Sequence, residues 1–162
     1  MISEHPTSPV RRPAGRESGF TLIELAIVMV VAAILSAIAI PMYMSQVRES
    51  RRTDARSALL DLAGREERYY ATNNAYTDGA VNLGYGGWGA GYTIGSGYYY
   101  LDEPVVTAGT ATTPPSYSVT AVATSSQVAD TCATFTITST GQQTATLSSG
   151  GADTTGLCWG SQ

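Results

Sequence analysis

The sequence predicts an α+β fold in which a long N-terminal α-helix packs against a small antiparallel β-sheet. Helical signals continue from Phe20 to about Asn73. From residue 98 onward, short segments of alternating apolar and polar residues follow one another with no helix between them, and this order favours antiparallel pairing. The second half of the helix carries an apolar stripe that one face of such a sheet can cover.

Residues 1–19 are polar, and residues 20–44 form an almost wholly apolar run. This run of 25 residues contains one charged side chain, Glu24. As a helix it would reach roughly 37 Å, which is enough to cross the hydrocarbon core of a membrane. An ordinary secretory signal has a shorter apolar region that ends in a cleavage site of small residues. The run therefore predicts a membrane-spanning helix, and the arginines before it predict a cytoplasmic N-terminus.

Glu24 is unusual because an unpaired charge inside a membrane costs a few kcal/mol or more. Its position in the first turns of the helix places the carboxylate near the positive end of the helix dipole, which is worth at most about 1–2 kcal/mol. A plain membrane anchor therefore does not explain this residue.

Residues 45–73 continue the same helix with an amphipathic pattern. No proline occurs between Ser45 and Asn73, and the charged residues lie largely away from the apolar stripe. The stripe consists of Val47, Ala55, Ala58, Leu59, Leu62 and Ala63.

Residues 74–97 are rich in Gly, Asn and Tyr and predict a loop, and residues 98–162 predict the sheet and a C-terminal region. The expected strands are Tyr98–Val106, Ser116–Thr124, Cys132–Ser139 and Thr144–Ser148. Aromatic residues cluster before and within the first strand: Tyr85, Trp88, Tyr92, Tyr98, Tyr99 and Tyr100. We expect some of these rings to pack between sheet and helix, although an exposed stacking surface is the alternative.

Basic residues are confined to the first part of the chain. The protein has nine arginines and no lysine, and all arginines lie at or before Arg68. Since binding to phosphates requires Arg or Lys, we predict no nucleic-acid partner for the C-terminal half. The acidic residues after Arg68 are Asp78, Asp102, Glu103, Asp130 and Asp153. They lack the spacing of a calcium-binding loop, so we predict no metal and no cofactor.

The sequence also offers no catalytic site. Its only histidine is His5, within residues 1–19, and no Ser/His/Asp or Cys/His arrangement follows. An enzyme anchored by one helix is therefore disfavoured, and we predict that the chain is not an enzyme.

The segment from Gly19 to Leu25, GFTLIEL, resembles the prepilin signature of type IV pilins. The basic tract before it, Pro41 within the apolar run and the two cysteines near the C-terminus resemble the same family. The tract from Arg56 to Thr77 is similar to minor pilins of the E type. The resemblance covers residues 15–162.

This resemblance implies that a prepilin peptidase cuts between Gly19 and Phe20 and then methylates the amino group of Phe20. Residues 1–19 would be the leader peptide. The amino terminus of a neighbouring subunit would supply the missing partner of Glu24, and breaking such a pair would leave a buried charge. The implied partners are other pilin subunits, the peptidase, membrane lipid and an inner-membrane assembly platform. The protein would lie in the inner membrane first and in an extracellular pilus afterwards.

Pro41, Cys132 and Cys158 each have two interpretations. Pro41 is either a passive kink in a membrane helix or a point that loosens when the helix moves from bilayer to filament. In an oxidising periplasm the cysteines would form a disulfide. Metal ligation is their alternative, but no histidine or second cysteine pair accompanies them.

The expected function is that of a structural subunit, more specifically a minor pilin, for twitching motility, adhesion or DNA uptake. The alternatives are a pseudopilin of a type II secretion system and a DNA-uptake receptor pilin. Since the leader is long for a chain whose mature form starts with Phe, translation starting at Val10 is a further hypothesis.

Overall fold

The computed structural model describes residues 19–147 and 151–160. The chain divides into two compact units, and the division falls between Pro41 and Met42. The predicted leader lies outside the described residues apart from Gly19, as do the Val10 start and Ser148, the predicted end of the last strand.

Helix α1 extends over Leu22–Asn73 and contains Pro41. At its start the Thr21 hydroxyl accepts a hydrogen bond from the backbone N–H of Glu24 at 3.2 Å, as expected for a residue that caps a helix. Asn74 ends the helix in the left-handed conformation with φ 55°, and its N–H donates to the carbonyl of Tyr70. The predicted long N-terminal helix is therefore confirmed.

In the first unit, every described residue is exposed. Among the residues that the structure describes, α1 is the one helix long and apolar enough to cross a membrane by length and composition.

In the second unit, α1 buries one stripe against the sheet. Ala55, Leu59, Leu62 and Glu66 are buried and follow one another at helical spacing. Ala58 and Ala63 pack partly against the core. The predicted stripe is confirmed for these apolar residues, and Glu66 is an addition that was not predicted.

Within the described residues the sheet has six strands, and each of their pairings is antiparallel. The strands are β1 (Thr93–Ile94), β2 (Tyr99–Leu101), β3 (Val105–Thr107), β4 (Ser116–Ala123), β5 (Thr134–Thr138) and β6 (Gln143–Thr146). Their order is β1-β2-β4-β5-β6, and β3 also pairs with β4. Along β4 burial alternates with period two, which places its apolar residues in the core with the helix stripe. This confirms the predicted α+β fold.

The predicted strand Tyr98–Val106 is two strands instead of one. Strand β2 pairs with one end of β4 and β3 with the other end. Between them lies Pro104, which has no N–H to donate to a neighbouring strand. Residues 74–97, predicted as a loop, also contain the 3-10 helix Ala80–Leu83 and strand β1. Two further short helices occur, a 3-10 helix at Ser125–Gln127 and α2 at Thr155–Cys158.

Candidate functional site

The N-terminal segment presents Gly19, Phe20 and Glu24 at an open surface. Phe20 is 86% exposed, and a Cβ atom added at Gly19 would meet no atom within 4 Å. None of the ion pairs among the described residues involves Glu24. Large apolar side chains from Leu22 to Met44 are exposed as well. An apolar surface of this extent must be covered by lipid or by other chains.

A buried polar network connects α1 to the segment before Cys132. Arg52 Nε and Nη2 donate to Asp130 Oδ2 and Oδ1, each at 2.7 Å. The side chain of Asp130 is 3% exposed and that of Arg52 is 14% exposed. Gln127 Nε2 also donates to Asp130 Oδ2 at 2.7 Å. Burial disfavours ionised Asp130, but the hydrogen bonds and charge of Arg52 outweigh that effect and lower its pKa.

Cys132 and Cys158 form a disulfide with their Cα atoms 5.8 Å apart, which confirms the predicted pairing. The loop that it closes contributes about 3 kcal/mol through the entropy of the unfolded chain. The Tyr99 hydroxyl donates to the Cys132 carbonyl at 2.6 Å, and Arg56 Nη1 donates to the Cys158 carbonyl at 3.2 Å. Burial raises the pKa of Tyr99 to about 12, so its hydroxyl remains a donor. Both ends of the closed segment are therefore fixed to the helix–sheet core.

Glu66 is a buried carboxyl group with an incomplete set of hydrogen bonds. Its Oε2 accepts the N–H of Thr77 at 3.2 Å. Its Oε1 is buried without a hydrogen-bond partner among the described residues. Burial raises the pKa of Glu66 above its ordinary value, and the charges of Glu67 and Asp78 act in the same direction. Sequence reasoning missed this residue, although its position four residues after Leu62 on the apolar stripe was a visible signal.

The substitution Glu66→Gln is expected to make stability less dependent on pH. Because the folded protein holds the Glu66 proton more tightly than the unfolded chain, its free energy of unfolding falls as pH rises above the ordinary pKa of 4.5. Glutamine has no such titration, so the variant should gain stability relative to the wild type between pH 4 and pH 7. Urea unfolding of the full chain in micelles measures this difference. Exposed Glu103, changed to Gln, is the control. An equal difference in free energy of unfolding between Glu66→Gln and the wild type at both pH values would contradict a raised pKa.

The predicted aromatic cluster divides between core and surface. Tyr99 is buried and contacts Phe135 edge-on with a centroid distance of 5.9 Å. Tyr85, Trp88 and Tyr98 pack partly against the core. Tyr92 is 52% exposed. The expectation that some of these rings pack between sheet and helix is confirmed.

Two arginines near the end of α1 line an open groove of about 400 Å³ with the 3-10 helix Ala80–Leu83. Arg65 Nε already donates a hydrogen bond to Asp61 Oδ2 at 2.7 Å, and its Nη1 donates to the Leu83 carbonyl at 2.9 Å. Arg68 is exposed. Within residues 19–147 and 151–160, no group of three or more His, Cys, Asp or Glu residues is placed to hold a metal ion.

Two family models match the chain. The model described as "Type IV minor pilin ComP, DNA uptake sequence receptor" matches residues 41–136, which is more than half of the chain. The model described as "Prokaryotic N-terminal methylation motif" matches residues 15–40. Together they cover both the apolar segment and most of the sheet.

Three curated relatives match this chain over 61 to 70 residues. Type IV major pilin protein PilA of Myxococcus xanthus is 36% identical over 70 residues, 43% of this chain and 32% of that protein. Type IV wide pilus major component PilA4 of Thermus thermophilus is 38% identical over 65 residues, 40% of this chain and 50% of that protein. Type II secretion system core protein G of Pseudomonas aeruginosa is 36% identical over 61 residues, 38% of this chain and 43% of that protein. The chain thus spans between 32% and 50% of the length of these relatives.

Proposed function

The chain belongs to the type IV minor pilin family, and from this premise we propose that it is a structural subunit of a type IV pilus, assembled through its N-terminal helix. The observation that carries the proposal is the exposed apolar segment of α1 with its single carboxylate, Glu24. Such a surface requires lipid at one stage and other subunits at another. Twitching motility, adhesion and DNA uptake are the activities that such a pilus would serve.

Processing would occur between Gly19 and Phe20, followed by methylation of the Phe20 amino group. The match to the methylation motif over residues 15–40 supports this proposal. So does the open surface around Gly19, which leaves the backbone accessible to a peptidase. The arginines before Gly19 favour a cytoplasmic location for the leader. Lipid, the peptidase, an inner-membrane assembly platform and sister subunits are the proposed partners.

In the assembled filament, Glu24 would pair with the amino terminus at Phe20 of a neighbouring subunit. Supporting this role, none of the described ion pairs satisfies Glu24 within its own chain. In a low-dielectric core, a wrong register between neighbouring subunits would be costly because it would leave one of these charges buried without its partner. Pro41 would then act either as a passive kink or as a point of loosening during transfer from membrane to filament.

Mass spectrometry of filaments sheared from the cell surface tests this function. The wild-type chain is expected in the filament fraction with Phe20 as its methylated first residue and at low abundance relative to a major pilin. Gly19→Val should leave the uncut precursor in the membrane, because the peptidase requires a small residue at the cut. Gly91→Val is the matched control, since a Cβ at Gly91 also meets no atom within 4 Å. Absence of the chain from filaments of otherwise normal cells would refute the proposal.

A DNA-uptake receptor is the second candidate function, favoured by the description of the matched family model. Arg68, exposed near the end of α1, offers a side chain for phosphate contacts, whereas Arg65 in the same groove is already paired with Asp61. The absence of Arg and Lys after Arg68 weighs against this function. Titration of the full chain with duplex DNA at several salt concentrations separates the two candidates, because phosphate binding weakens steeply with salt.

A pseudopilin of a type II secretion system remains the other alternative. Its support is the similarity to the core protein G of Pseudomonas aeruginosa. Detection of the chain in long surface filaments, rather than only in the cell envelope, would favour the pilus.

A further inference from the structure

A second groove lies between the end of α1 and the connection from β3 to β4, and we call it the tyrosine groove. It has a cavity volume of about 410 Å³, which lies within the range of small-molecule sites. Its principal lining residues are Tyr70, Asn74, Tyr76, Val106, Thr107 and Pro115. Its described lining residues include none from the N-terminal segment, the disulfide or the groove lined by Arg65 and Arg68.

The end of α1 fixes one wall of the tyrosine groove. Asn74 adopts the left-handed conformation, and the chain then returns so that the Tyr76 ring stacks on the Tyr70 ring. The ring centroids are 4.8 Å apart with an interplanar angle of 22°. Tyr117 supports Tyr76 edge-on at 4.7 Å, and the Tyr76 hydroxyl donates to Glu67 at 3.2 Å. Tyr76 is therefore held in place, and its stacking orients the half-buried Tyr70 ring, which also lines the groove.

The opposite wall combines apolar groups with hydroxyl groups. Val106 and Pro115 are half-buried, and Thr107 is exposed at the end of β3. The Thr110 hydroxyl accepts the N–H groups of Thr112 and Thr113 at 3.3 and 3.0 Å, which shapes the loop above the groove. Hydroxyl and amide groups of this kind both donate and accept hydrogen bonds.

The tyrosine groove has no charged lining residue among those that the structure describes. A charged ligand would lose hydration there without gaining a counter-charge. A neutral ligand with one apolar face and hydroxyl groups around its edge matches both the aromatic platform and the polar rim. A hexose ring has this character, and its C–H face packs on aromatic rings.

We propose that the tyrosine groove is a binding site for a neutral saccharide of one or two hexose rings. Tyr70 provides the stacking surface, Asn74 and Thr107 provide hydrogen bonds to ring hydroxyls, and Val106 closes the apolar side. The site goes beyond the structural role in a filament and does not depend on it. A proline-rich peptide is a poorer match because it would leave the hydroxyl and amide groups of the rim without partners.

The test is a nuclear magnetic resonance titration of the full chain in a zwitterionic detergent that carries no sugar headgroup. Glucose, galactose, mannose and N-acetylglucosamine are the probes, and a proline-rich peptide and sialic acid are the competitors. Saturable shifts of Tyr70 and Thr107 signals with at least one neutral sugar are expected. Tyr70→Leu should weaken that binding about tenfold through loss of stacking. Thr107→Val, which keeps the side-chain shape, should weaken it about fivefold through loss of one hydrogen bond.

Tyr92→Leu is the matched control, since Tyr92 is an exposed tyrosine outside the tyrosine groove, and it should leave sugar binding unchanged. Thr107→Val keeps the test valid if Tyr70→Leu fails to fold. The proposal is overturned if none of the four sugars gives saturable shifts, or if Thr107→Val binds as tightly as the wild type. Preferential binding of the peptide or of sialic acid would overturn it as well.

Discussion

Replacing Glu24 by alanine is expected to abolish incorporation of the chain into filaments while leaving its insertion in the membrane intact. The substitution removes the only charged side chain from residues 20–44, so it makes membrane insertion easier. With the proposed pairing in the filament, it would leave the amino terminus of a neighbouring subunit buried without a counter-charge. Loss of one partner of a buried ion pair costs about 3–5 kcal/mol, which corresponds to a factor of more than a hundred in an assembly equilibrium.

The measurement compares the chain in sheared filaments with the chain in the membrane fraction by quantitative immunoblotting. Glu24→Asp retains the charge and should restore part of the incorporation, whereas Glu24→Gln retains the shape and should not. Thr21→Ala is a useful control because it removes only the hydroxyl that caps α1, and it should reduce incorporation far less. Normal amounts of Glu24→Ala in filaments would show that this carboxylate does not act in assembly.

Asp130→Ala is expected to lower the free energy of unfolding of the second unit by about 3–5 kcal/mol at neutral pH. The substitution leaves Arg52 partly buried without its bidentate partner and removes the acceptor of the Gln127 amide. The difference in free energy of unfolding between Asp130→Ala and the wild type should disappear as pH falls. Since the folded protein has a lowered pKa at Asp130, its stabilising contribution is present above the ordinary value of 3.8 and is lost as pH falls through the lower folded value.

Urea unfolding of the full chain in micelles, followed by tyrosine and tryptophan fluorescence, measures this loss. Asp102→Ala is the matched control because Asp102 is exposed, and it should change stability by no more than about 0.5 kcal/mol. The double variant Arg52→Leu with Asp130→Leu should recover much of the lost stability, because removing both charges leaves neither one unpaired. Equal effects of Asp130→Ala and Asp102→Ala would contradict a structural role of the Arg52–Asp130 pair.

The disulfide and the Arg52–Asp130 pair act on the same C-terminal segment by different physical means. The disulfide reduces the conformational entropy of the unfolded chain, whereas the ion pair and its hydrogen bonds stabilise only the folded state. Tyr99 connects the two, because its hydroxyl donates to the Cys132 carbonyl and accepts from Gln127 Nε2, which also donates to Asp130. The start of the disulfide-closed segment is therefore held to α1, even though Val128, four residues before Cys132, is 53% exposed.

Features with a local cause were predictable from the sequence. Helix α1 was predicted to Asn73 because helix formation depends on residues three and four apart. Strand β4 was predicted within one residue because its alternation is visible along the chain. The prepilin segment from Gly19 to Leu25 was likewise recognisable as a contiguous motif, and its match to the methylation motif agrees with that interpretation.

Features that depend on distant residues were decided only by the tertiary structure. Arg52 and Asp130 are 78 positions apart, and no periodicity relates them. The division of the first predicted strand into β2 and β3 depends on the pairing of both with β4. The tyrosine groove exists only because that pairing brings Val106 beside Tyr70.

The sequence by itself thus determined the long helix, its single charge Glu24 and the antiparallel character of the sheet. The tertiary structure decided that Glu66 is buried and that Asp130 meets Arg52. The physical reason is that secondary structure follows the local period of apolar residues, whereas the burial and pairing of polar side chains depend on which distant surfaces the fold brings together.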